Sequence, residues 1–76
     1  MAADPRSEAD IMRSFEALPD AAYVRLPTVA LLFATSPSNV WRWVKRDIVP
    51  QPRRLAGRTT AWNVGELRRS LAAVGL

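Results

Sequence analysis

The clearest pattern of apolar and polar positions lies between Ser36 and Arg46. Val40, Trp43 and Val44 fall at the i, i+3, i+4 spacing of a helical stripe. Ser38, Trp41, Arg42 and Lys45 take the opposite face, with Asn39 and Arg46 on its flanks. Ser36 is a good N-cap, and Pro37 sits in the first turn, where a backbone N–H has no helical partner to lose. The spacing predicts a helix that ends near Asp47, with one buried stripe and one basic face.

The other elements arrange themselves around it. Ser7-Glu8-Ala9-Asp10 is an N-cap followed by first-turn acids, and residues 1–6 have no regular pattern. Ile11, Met12, Phe15 and Leu18 share one face of that first helix, which Pro19-Asp20 ends. So short a helix needs its apolar side covered, by the chain's own body, by a neighbouring subunit or by a partner protein. Tyr23-Val24-Arg25-Leu26 is expected to be extended, because a residue before proline is pushed away from the α region. Pro27 then opens a helix to about Ala34, with Val29, Ala30, Leu32 and Phe33 turned inward and Leu31 toward solvent. Ala34-Thr35-Ser36 is the turn into the basic helix.

After it, Pro50 and Pro52 keep the chain extended. Arg53-Arg54-Leu55 and Arg58-Thr59-Thr60-Ala61-Trp62 form a hairpin around Ala56-Gly57. Asn63 caps a last helix with Glu66 at its third position. Leu67, Leu71 and Val74 are spaced for its buried side, and Gly75 falls near its end.

Composition narrows the functions. A chain of 76 residues supports one thin core, which buries roughly 60% of the unfolded surface. With no cysteine and no histidine, it has neither a disulfide framework nor the commonest general base and metal ligand. No phosphate-cradling glycine loop is present and the acids are scattered, so no enzyme, cofactor or metal site is expected. No apolar run approaches ~18 residues, so no membrane partner is expected and the reading is cytoplasmic.

Charge adds direction. Residues 1–22 hold five acids against two arginines, a local charge of −3; residues 23–76 hold nine Arg or Lys against two acids, +7. This gives two regions: an acidic N-terminal arm with a short helix (1–22) and a basic domain (23–76). A basic body is the electrostatic footprint of a nucleic-acid binder. The plainer alternatives are an amphipathic helix with a solvated face, or a protein-interaction module. The latter leaves the basic clustering unexplained.

Helix, tight turn, basic helix, Arg-rich hairpin, helix is the layout of a winged helix-turn-helix, mainly α with a small β-hairpin. In that layout the basic helix enters the major groove of double-stranded DNA and the hairpin follows the adjacent backbone. Ser38, Asn39, Trp41, Arg42, Lys45 and Arg46 are then the contacts from the helix. Arg53, Arg54, Arg58 and Thr59 are those from the hairpin. Two roles stay open at this point. Trp41 either packs on sugar and thymine methyl groups or covers the core's edge, and Asn39 either reads a base or makes a local capping bond. Trp43 and Trp62 are assigned to the core.

Three stretches resemble the AlpA/excisionase family of small phage and mobile-element DNA-binding proteins. They are Ser36-x-Ser38-x-Val40-Trp41-Arg42-Trp43-Val44-Lys45, Pro50-x-Pro52 and Gly57-Arg58-x-x-Ala61-Trp62-x-x-x-Glu66-Leu67, within about residues 23–72. The resemblance implies a MerR-like winged fold. It places Val40 and Val44 in the core of the recognition helix, Arg42 and Lys45 on its DNA side, and Arg58 at the wing arginine. Trp41 stands where the family usually has Tyr, and Trp62 where an aromatic ties the wing to the last helix. Ala34 and Asp47 stand where glycines are usual, so a positive φ at either stores strain of roughly 1–3 kcal/mol. Pro37 replaces a residue that is often basic.

The function implied is that of an excisionase, a recombination directionality factor that bends attachment-site DNA and assists an integrase. The alternatives are an AlpA-like transcriptional regulator or a terminase small-subunit DNA-binding domain. The charge split further suggests head-to-tail self-association on DNA, the acidic arm of one copy docking on the basic body of the next.

Overall fold

A computed structural model describes residues 8–74. The order is α1 (Glu8–Ala17), β1 (Tyr23–Val24), α2 (Leu26–Leu32), α3 (Pro37–Lys45), β2 (Arg53–Leu55), β3 (Thr59–Asn63) and α4 (Val64–Val74). The expected Ser7 cap, the irregular 1–6 segment and Gly75 lie outside the described residues.

The elements form where the sequence places them, with four differences. First, Leu26 opens α2 instead of extending β1; Arg25 takes the N-cap position and accepts from the Thr28 and Val29 N–H groups. The preference of a pre-proline residue is outweighed here by those hydrogen bonds and by the packing of Leu26 on the core. Second, α2 stops at Leu32, and its partly buried Leu31 lies beside Pro27, Ala34 and Pro37. Third, Val74 is 52% exposed, because α4 runs past the body that Leu67 and Leu71 pack against. Fourth, Tyr23–Val24 adds a third strand. β3 is central, pairing antiparallel with β1 (Val24 opposite Trp62) and with β2 (Arg54 opposite Thr60).

One core joins all four helices. Phe15 of α1, Val29 and Phe33 around α2, Val40 and Val44 of α3, Val49, Trp62, Val64 and Leu67 are buried together. The rings of Phe33 and Trp43 meet edge to face at 6.3 Å, seating α2 on α3.

Both ends of α2–α3 are closed in the same way. The Thr35 and Ala34 N–H groups donate to the Ala30 and Leu31 carbonyls; the Ile48 and Asp47 N–H groups donate to those of Trp43 and Val44. This 6→1 and 5→2 pattern puts the residue after the helix cap in the left-handed region, where glycine is usual. Here they are Ala34 (φ 54°) and Asp47 (φ 61°). The strain anticipated at these two positions is therefore present, at about 1 kcal/mol or somewhat more for a residue with a Cβ.

α1 is fastened to its own chain. Arg68 of α4 donates to the carbonyls of Phe15, Glu16 and Leu18, pairs with Asp20, and lies 5.2 Å from the centre of the Phe15 ring. Carbonyls at a helix end run short of intrahelical partners, and a guanidinium bonds to them while complementing the negative end of the helix. The turn after α1 also meets the start of α4. The Gly65 N–H donates to the Asp20 carbonyl (3.0 Å), and a Cβ at Gly65 would stand 3.1 Å from that of Asp20.

Candidate nucleic-acid interface

α3 is fixed by its cap and its buried stripe. Ser36 Oγ accepts from the Asn39 N–H at 3.3 Å, and Val40 and Val44 are buried. The helical period then turns Ser38, Arg42 and Lys45 outward, and all three are exposed, as is Arg46 at the C-cap. Asn39 sits to one side, half-buried. Its side-chain amide donates to Thr35 Oγ1 at 2.8 Å, bracing the turn before the helix. It is a local bond between side chains and not the capping bond anticipated as the alternative to base reading; the cap is Ser36.

Trp41 is 41% exposed, yet its ring lies 5.4 Å from that of the fully buried Trp62. Its inner face thus covers the core's edge, one of the two roles considered for it, while its outer part joins the surface of α3. Trp62 donates from Nε1 to the Pro50 carbonyl at 2.9 Å, Gln51 donates to the Val44 carbonyl at 3.0 Å, and Ser70 donates to the Ile48 carbonyl at 2.6 Å. These bonds hold the linker between α3 and the hairpin, so helix and hairpin keep one relative position.

The register sorts the hairpin into two faces. Directly opposed residues share a face and neighbours along a strand alternate. Arg54, Thr60, Trp62 and Val24 therefore lie on the face that packs on the core and on Trp41, whereas Arg53, Leu55, Thr59, Ala61, Asn63 and Tyr23 lie on the other. Arg53 is engaged there. Its guanidinium donates to Glu66 Oε2 at 3.1 Å. That hydrogen bond, with the charges of Tyr23 and Glu66, pushes its pKa further above the usual arginine range. Arg54 and Arg58 are exposed, Arg58 in the turn after Gly57.

Charge is distributed unevenly. Among the described residues the ion pairs are Arg13 with Asp10, Arg53 with Glu66 and Arg68 with Asp20. Arg42, Lys45, Arg46, Arg54 and Arg58 have no carboxylate partner there, and Asp47 is the single acid between residues 21 and 65. Arg25 and Arg69 are likewise without an ion pair but lie at the start of α2 and on α4. The structure thus gathers most of the expected residues on α3 and the hairpin, and sets Arg53, Thr59 and Asn39 apart from the outward row. Thr60 was missed. Strand alternation gives the signal for it, because a core assignment for Trp62 puts Thr60, two residues earlier, on the same face.

These elements make the chain a winged helix-turn-helix protein, with α2 and α3 as the helix pair and β2–β3 as the wing. Residues 22–72 match the family described as prophage CP4-57 regulatory protein (AlpA), and the chain belongs to that family of phage-type regulatory DNA-binding proteins. No curated protein and no solved structure matches the chain significantly. Among the described residues no helix is long and apolar enough to cross a membrane.

Proposed function

We propose that the protein binds double-stranded DNA sequence-specifically, with α3 in the major groove and the wing along the neighbouring backbone. On it the protein acts as an excisionase, a directionality factor that bends attachment-site DNA for an integrase. The observation that carries the DNA-binding part is the row of exposed cations on α3 and the wing, without carboxylate partners among the described residues and joined by Trp41 and Trp62. Major-groove base edges are read best by arginine, and phosphates attract guanidinium and ammonium groups alike. Bending is supported by the bonded linker: a helix and wing held rigidly together favour the DNA shape that satisfies both.

A second reading, transcriptional control, is favoured by the regulatory description of the family. An excision assay with the cognate integrase, with and without the protein, separates the two. Stimulated excision supports the first. An unchanged yield, together with altered transcription from a bound promoter, supports the second. Cooperative head-to-tail binding would have to use the outer side of α1, where Met12 is exposed, since Phe15 is buried in its own core. Footprints of adjacent sites that stop filling together once residues 1–20 are removed would support it.

A further inference from the structure

We propose that Arg54 and Thr60, on the strands of the wing, contact the DNA backbone beside Arg58 of its turn, and that Arg53 is a positioning residue, a strut that holds the wing against α4 through Glu66. The proposal rests on the DNA-binding reading above and divides residues within it. Three arginines crowd the hairpin, and composition alone makes them equivalent. The register does not. Arg54 faces Thr60 across the pair and shares its side of the sheet with Trp62, whose ring meets that of Trp41 of α3 at a tilt of 50°. Any duplex lying on α3 beside Trp41 meets that side of the sheet.

Arg53 points the other way, next to Ala61 in register and on the face of Tyr23. Its guanidinium is already joined to Glu66. Contact with a phosphate from there would require breaking that pair and reaching around the strand. Thr59, opposite Leu55, has the same disadvantage, whereas the Thr60 hydroxyl lies beside Arg54 as a neutral donor to a phosphate oxygen.

Salt-dependent binding of the full-length protein to a mixed-sequence duplex oligonucleotide tests the division, because each cation on a phosphate adds about 0.9 to the slope of log K against log salt. R54A is expected to lower the slope by about that amount, and R53A and E66Q to leave it unchanged. R53K, which keeps a donor for Glu66, should match the parent. T60V should weaken binding several-fold, while T59V should not. A slope that falls for R53A and not for R54A overturns the proposal, as does equal loss for T59V and T60V. The double variant R42A/K45A separates this from failure of the underlying reading. If it lowers the slope while R54A does not, only the wing assignment falls; if neither changes it, both do. Thermal transitions close to the parent's confirm that each variant is folded.

Discussion

Arg68 and Arg42 are the same residue type in opposite circumstances. Arg68 is enclosed by three carbonyls, a carboxylate and an aromatic face, and fastens α1 to α4. Arg42 stands exposed on α3 with no acid paired to it among the described residues, one helical turn from Lys45. The first completes the fold's own hydrogen bonding. The second leaves positive charge uncompensated, which favours neither folding nor compactness and is useful only toward an anion from outside. Arg68 is therefore architecture, and Arg42 belongs to the surface we propose as the site.

That comparison can be broken at several points. The largest effect is expected from W62A, which removes the joint between the two sides: loss of about 3–5 kcal/mol of stability, because a small core has no other anchor in that place. Chemical denaturation measures it, and a near-parental midpoint would show that the joint is dispensable. R68A should cost about 2–3 kcal/mol, as charge-assisted bonds to the carbonyls at the end of α1 are lost. Amide exchange in α1 should rise more than exchange in α3. R42A should leave the thermal transition unchanged and weaken binding to the specific site by about 1–3 kcal/mol, read in mobility-shift titrations. The smallest effect is a gain. A34G relieves a left-handed alanine and should raise stability by about 0.5–1 kcal/mol. D47G should give less, since aspartate tolerates that region better, and both are read as shifts in the denaturation midpoint.

Much of this was legible in the residues. The stripe of Val40, Trp43 and Val44 fixed which face of α3 turns outward, and the Asn63 cap is realised as a 2.9 Å bond from the Glu66 N–H. Ala34 and Asp47 stand out in the sequence as departures from glycine, and both have positive φ. What escaped depends on contacts distant in sequence. Nothing local distinguishes Arg68 from its neighbour Arg69; only the docking of α1, some fifty residues away, makes one a clamp. The third strand was missed because two residues carry no period, and β1 exists only through its pairing with β3. Leu26 was misplaced because a local preference met a stronger tertiary demand. The opposite facing of Arg53 and Arg54 needed only strand alternation and the register of the turn, and so was within reach.

The most direct test of the division between architecture and site is the salt dependence of DNA binding by the parent, R42A/K45A and R13A. Arg13 is as charged as Arg42 but lies on α1, paired with Asp10. R42A/K45A should lower the slope of log K against log salt by about 1.8, while R13A leaves it where it was. Equal slopes for all three proteins, or a fall for R13A as large as that for the α3 variant, would contradict the assignment of α3 as the surface that meets DNA.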